Sequence, residues 1–261
     1  MSSTSMEMSY TSSTVRRDEI VSVEPTAAFR WLRKGFDDFS RVPGLSLLYG
    51  GLFAALCAAV YVLVMNAPWY ALAYLTGLVV IGPFLAAGLY VASRDMASGN
   101  SASISGSFRL LQKRSTYLAL FSLLLSLVMA AWVRFSALLF AIQLNTLNPD
   151  PSMQTFTGLF STPDGLATLA FFVGIGLLLV SVVFVISAVA VPMIIDRDAD
   201  FISAMQTSAK AVAKNPLAML VWAIIIVALT AIGIATAFVG LAVIFPILGY
   251  ATWHSYRELV K

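Results

Sequence analysis

The chain has 261 residues, 59% of them hydrophobic and 11% charged, with a formal net charge of +3 and a mean hydropathy of +0.88. Soluble domains carry about 25% charged residues, so an ordinary water-soluble globule is excluded. Cys57 is the single cysteine, which excludes a disulfide framework and a thiolate metal cluster. The positive balance is no sign of nucleic-acid binding, because the placement of the charges accounts for it.

In chain order, residues 1–26 are polar and Ser/Thr-rich, without the apolar centre and small-residue cleavage site of a signal peptide. They are expected as a disordered tail, ahead of a membrane domain over 27–261. Asp, Glu, Lys and Arg are absent from 45–93, 115–133, 135–149, 165–195 and 217–256. A spanning helix needs roughly 20 mostly apolar residues. The expected spans are therefore Leu45–Met65, Trp69–Ser93, Thr116–Leu144, Gly165–Ile195, Leu217–Thr236 and Val239–Tyr256. The fold class that follows is all-α: a polytopic membrane protein with six transmembrane helices as three hairpins.

Charge placement orients it. Of the sixteen Lys and Arg, all but Arg134 fall before the first span, between spans two and three, between spans four and five, or after span six. The opposite side carries only Asp150 and Asp164. Positive loops stay cytoplasmic, so both termini are expected there. Arg134 lies about 27 Å along its helix from Thr116, near the outer interface. It reads as a snorkelling anchor, a partner of Asp150 or Asp164, or a substrate or ion contact.

Two segments match each other, "GPFLAAGLYVASRD" and "FPILGYATWHSYRE". Pro83 precedes Arg94–Asp95 by the same interval that separates Pro246 from Arg257–Glu258, and Pro192 precedes Arg197–Asp198 more closely. Spans two, four and six are thus expected to be bent at proline and to end at an Arg–acid pair. An amphipathic stretch precedes each outbound span, with apolar stripes Leu32/Phe36/Phe39, Ile104/Phe108/Leu111 and Phe201/Met205/Ala209/Val212. Val42–Pro43 and Asn215–Pro216 mark helix starts, Asn215 as a cap. The unit is an interfacial helix, an outbound span, a turn and a bent return span, a possible three-fold internal repeat. The alternative is that proline merely kinks three unrelated helices. The amphipathic helices are expected in the headgroup layer, against the bundle ends, or both.

Sites for chemistry are few. His254 beside Trp253, Tyr256 and Arg257 has an interfacial belt's composition, and could otherwise act as a proton relay or lone ligand. Asp196, Asp198 and Asp200 alternate as in an oxygen-ligand loop, but lack the glycine and distal Glu of a calcium site; helix capping and an Arg–Asp pair are the alternative. No carboxylate lies within a span and no Ser–His–Asp set, nucleotide loop or metalloprotease motif is seen. Ser122, Ser126, Gly233 and Gly240 suit helix–helix contact. No catalytic, cofactor-binding or metal residue is expected.

At "WLRKGFDDFSRVPGLSLLYG", "PFLAAGLY" and "FPILGYATWHSYRELV", through Trp31, Asp38, Pro83, Pro246, Trp253 and His254, the chain resembles a family of predicted bacterial integral membrane proteins of unknown function. The family is sometimes labelled as related to a cytochrome c oxidase subunit. The resemblance covers roughly 27–261 and implies six helices in a bacterial inner membrane, but no activity. One histidine cannot supply the haem and copper ligands of a catalytic oxidase subunit. The expected role is a non-catalytic scaffold, assembly factor or accessory subunit among other inner-membrane proteins, with a small-molecule permease or lipid-handling protein as the alternative.

Overall fold

The computed structural model describes residues 19–66, 71–147 and 161–261. Among them are nine α-helices and no strand: α1 (Ala27–Arg41), α2 (Pro43–Asn66), α3 (Ala71–Ala97), α4 (Ile104–Leu147), α5 (Pro163–Ser187), α6 (Ala190–Arg197), α7 (Phe201–Lys214), α8 (Pro216–Ala235) and α9 (Leu241–Leu259). Four stretches are long and apolar enough to cross a membrane: α2, Ser105–Leu138 of α4, Gly165–Arg197 through α5 and α6, and α8. Helices α3 and α9 cover the described parts of the second and sixth expected spans.

Proline decides where the amphipathic helices stop. Helix α1 ends before Pro43 and α7 before Pro216, each proline opening the next helix, where its missing N–H costs nothing. At the corresponding place in the middle of the chain stand Ser115 and Thr116, and no boundary forms. The expected amphipathic piece and third span are one continuous 44-residue helix, α4. At 1.5 Å per residue it is about 66 Å long, far beyond a hydrocarbon core of about 30 Å.

The proline pattern also resolves unequally. Pro83 and Pro246 lie inside continuous helices. Pro192 does not bend one: the chain breaks at Ala188–Val189, and Pro192 falls in the first turn of α6, where prolines are tolerated. The last expected turn forms at Thr236–Gly240, where Ala237 and Phe238 take positive φ of 52° and 69°. Thr236 secures it, its Oγ1 donating to the Gly233 carbonyl and accepting from the Gly240 N–H, both at 2.8 Å.

Within the stretch expected as tail, residues 1–18 lie outside the described residues, while 19–21 pair with the chain's other end. Ile20 and Val260 form an antiparallel bridge, and Val21 N–H donates to the Leu259 carbonyl at 2.9 Å. Asn215 does not cap α8 with its side chain. It is buried instead against this segment, Oδ1 accepting from Val23 N–H at 2.8 Å and Nδ2 donating to the Val21 carbonyl at 3.0 Å.

Each amphipathic helix makes its closest contacts through small residues, while the stripe residues Leu32, Phe39, Leu111, Phe201, Met205 and Val212 are half-buried against the core. On α1 the buried face is Ala27, Ala28, Trp31, Gly35 and Asp38, while Phe29 and Phe36 point outward. On α4 Ser107 is buried and Phe108 exposed; on α7 Ala204, Thr207, Ser208 and Ala211 are buried and Ile202 exposed. Close helix approach in a membrane comes from small side chains, because lipid already satisfies large apolar ones. Gly35 and Ser208 hold the same offset ahead of Pro43 and Pro216. Ser107 Oγ donates to the Gly88 carbonyl at 3.4 Å and Val189 N–H to Ser208 Oγ at 3.3 Å, each across nineteen residues. Ser208 also donates to the Val185 carbonyl at 2.7 Å. Gly35 faces α9, where a Cβ would stand 2.5 Å from the Ile247 carbonyl oxygen. Deeper in the bundle, Pro246 leaves the carbonyl of Ala242 without its helical N–H, and Gly50 of α2 packs so closely on that oxygen that no side chain fits.

Candidate functional site at the charged helix ends

The C-terminal halves of α3, α6 and α9 meet α1 and the starts of α4 and α7 in one buried assembly, whose largest enclosed side chains are Trp31, Trp222, Trp253, Tyr250 and Tyr256. Trp31 and Trp222 meet edge to face with centroids 5.9 Å apart. Trp253 and Tyr256 are core residues rather than the interfacial belt expected of them, and Tyr256 lies against α6, its hydroxyl bonded to Asp196 and Arg197.

The Arg–acid pairs are mostly exchanged between elements. Only Arg94–Asp95 closes locally, at 3.2 Å. Glu258 is held by Arg30 at 2.5 Å and by Trp31 Nε1 at 3.0 Å. Arg257 reaches Asp196 at 3.2 Å, and Asp198 pairs with Arg114 of α4. Arg197 donates from Nε to Tyr256 Oη at 2.9 Å and from its terminal nitrogens to the carbonyls of Val260 and Lys261, and Tyr256 Oη donates to Asp196 at 2.7 Å. The chain of contacts runs α1–α9–α6–α4. Asp198 occupies a left-handed position, φ 56°, at the end of α6. Asp200 caps α7, accepting from Ile202 and Ser203 N–H at 3.0 and 2.9 Å. Hydrogen bonds from Ser203, side chain and backbone, and from Ile202 hold its carboxyl below the ordinary range. The three aspartates thus serve three separate partners, and the described residues contain no group of three His, Cys, Asp or Glu placed for a metal.

The sequence contains one carboxylate whose burial went unseen. Asp38 is 5% exposed, in α1 rather than in a span. Its Oδ2 accepts from Ser93 Oγ at 2.5 Å and from His254 Nε2 at 2.8 Å, with Arg41 3.8 Å from Oδ1. A serine, a histidine and an aspartate therefore do meet, contrary to expectation, but in a different order. Nucleophilic catalysis needs the imidazole between hydroxyl and carboxylate; here the carboxylate stands between the other two. The geometry polarises no hydroxyl for attack and ties α1, α3 and α9 into one polar node. Ser46 and Tyr250 add a second link, 2.9 Å between hydroxyls, from α2 to α9. The signal that could have located Asp38 is its place in α1, one turn after Gly35 on the small-residue face.

Two cavities flank α1. A polar cleft of about 660 Å³ lies between α1, residues 21–24 and the end of α9, lined by Arg30, Lys34, His254, Arg257 and Lys261 with Glu24 and Glu258. An apolar groove of about 390 Å³ runs along its other side, between Phe29, Leu32, Arg33 and Phe36 of α1 and Leu229, Ile244 and Ile247 of α8 and α9. Arg134 stands apart from this assembly, exposed on α4; Asp150, one of its expected partners, lies outside the described residues.

Residues 71–196 match a family model described as "Predicted integral membrane protein (DUF2189)". No curated protein and no solved structure matches the chain. The matched stretch runs from α3 to α6 and includes Pro83, Arg94, Arg134 and Pro192.

Proposed function

We propose, starting from the match of residues 71–196 to that uncharacterised family of predicted integral membrane proteins, a role that needs no chemistry in the membrane: a scaffold, assembly factor or accessory subunit among other proteins of a bacterial inner membrane. In this reading α3 and α9 also cross the bilayer, giving six spans in three hairpins, with the charged ends and both termini cytoplasmic. The observation that carries it is helix α5. Its crossing stretch reaches a mean hydropathy of 3.0, and none of that most apolar part is buried within the chain. Leu177, Leu178, Val180 and Val182 all face outward. At the other end Asp38, Asp196 and Glu258 are already bonded internally, which supports a structural use of those carboxylates over a general base.

A photo-crosslinking amino acid at Leu178, in the protein at native expression level, tests it. Adducts to one defined membrane protein are expected, with few from Leu47 on α2. Adducts to lipid alone, together with a purely monomeric species in mild detergent, would remove the reading.

A second reading, a lipid-handling protein, is favoured by the pairing of polar cleft and apolar groove on either side of α1. Extraction with native lipids separates the two: a handling protein exchanges labelled lipid between vesicles, and a scaffold does not.

A further inference from the structure

Helix α1 lies across α9 so that its two sides meet different depths of that helix. The groove side touches Ile244 and Ile247, and the cleft side touches His254, Arg257 and Glu258, two to three turns further toward the charged end. The residues of α1 sort accordingly. Phe29 and Phe36 are 61% and 54% exposed on the groove side, Arg30 and Lys34 line the cleft, and Arg33 stands on the groove rim between them. Such a helix belongs at the boundary of hydrocarbon and headgroups, aromatic side down. It places an apolar slot and a cationic cleft within one helix diameter of each other, about 10 Å.

We propose that α1 and the end of α9 bind one anionic phospholipid, its phosphate in the cleft and an acyl chain in the groove. Four cationic side chains face the cleft against two carboxylates, and both carboxylates are engaged: Glu258 by Arg30 and Trp31, Glu24 by Thr26 at 3.3 Å. Arg257 is shared with Asp196, and the His254 ring nitrogen facing Asp38 is occupied. The side-chain amine of Lys34 has no carboxylate partner among the described residues, so it supplies uncompensated charge to the cleft, with Lys261 beside it. A free phosphate would use the cleft and leave the groove empty. The groove's lining is hydrocarbon except for Arg33, and that favours a diacyl lipid. The site is independent of the scaffold reading, since a bound lipid serves either role.

The test uses full-length protein in nanodiscs and reads lipid retained after detergent exchange. The probes are phosphatidylglycerol and phosphatidylcholine with identical acyl chains. Phosphatidylglycerol retention should exceed phosphatidylcholine by on the order of tenfold, the scale of one to two surface cations acting on an anionic headgroup. The K34Q/K261Q variant should reduce the excess to near parity. Leu229→Trp, which fills the groove from α8, should lower retention of both lipids. Excess glycerol 3-phosphate or inorganic phosphate should leave the lipid in place. Equal retention of the two lipids overturns the proposal, as does full displacement by the soluble phosphates, which would mark a free-anion site. Should a variant fail to fold, the wild-type comparison of the two lipids and the soluble anions still decides.

Discussion

At the charged end, α1, α4 and α7 bury glycine, serine and alanine against return helices, and acids and arginines cross from one element to the next. Along α5, the same chain offers leucine and valine outward and touches its neighbours sparsely. Both regions are helical and both are apolar in the main, so composition does not separate them. What separates them is side-chain size and the satisfaction of hydrogen bonds. In a bilayer a leucine gains nothing by leaving lipid for another helix, whereas a glycine admits a backbone and a buried carboxylate must find donors.

The contrast breaks most severely at the close contacts. Gly50→Leu drives a side chain into the Ala242 carbonyl, which Pro246 has left without its helical donor, and Gly35→Val does the same against Ile247 and Ala251. Each should cost about 3 kcal/mol or more by overpacking against backbone, read as loss of folded protein in a detergent unfolding titration. Leu178→Ala on α5 should change the same titration by less than about 0.5 kcal/mol. Next comes the polar node. Asp38→Ala leaves Ser93 and His254 without their shared acceptor and should cost about 2 kcal/mol. Asp38→Asn, which keeps an acceptor, should cost less. Asp196→Ala removes the acceptor of Tyr256 and Arg257 and should cost about 1–2 kcal/mol, with the two ends of the chain more open to proteolysis.

The smallest effect at the charged end is at Asp200, a cap on an exposed turn. Asp200→Ala should cost about 1 kcal/mol, and Asp200→Ser less. Its carboxyl is held below the ordinary range by the bonds from Ser203 and Ile202, so the folded state favours the charged form. The contribution is therefore present above the unfolded-state pKa of about 4 and disappears as pH falls through the lower folded value. Thermal melts of wild type and Asp200→Ala should converge at acid pH and separate at neutral pH; a constant gap would contradict the sign.

Much of the architecture was legible because bilayer physics writes it in composition. Charge-free runs marked the long helices, and Pro43 and Pro216 marked the ends of α1 and α7. The absence of proline near Ser115 should have predicted the continuity of α4, and the amphipathic pattern masked it. The stripes were right in part: Leu32, Phe39, Leu111, Phe201, Met205 and Val212 lie against the core, while Phe36 and Phe108 are exposed. The closest approaches fall to small residues, Gly35, Ser107 and Ser208, which a periodicity of large apolar residues does not mark. The burial of Asp38 was not legible, since a carboxylate on an amphipathic helix looks solvated until its neighbours are known. The partners of Arg197, Arg257 and Glu258 were illegible, because adjacent opposite charges suggest a local pair and only the tertiary arrangement exchanges them.

Ion pairs between helices, and a lipid site at α1, both require the charged ends of α1, α4, α7 and α9 to share one face of the membrane. Single cysteines at Lys113 and Lys214, in a Cys57→Ala background, can be probed with a membrane-impermeant maleimide in sealed right-side-out and inverted vesicles. Both positions should react only from the cytoplasmic side. Labelling of Lys113 and Lys214 from opposite sides would contradict the shared face, and with it the ion-pair chain and the lipid site.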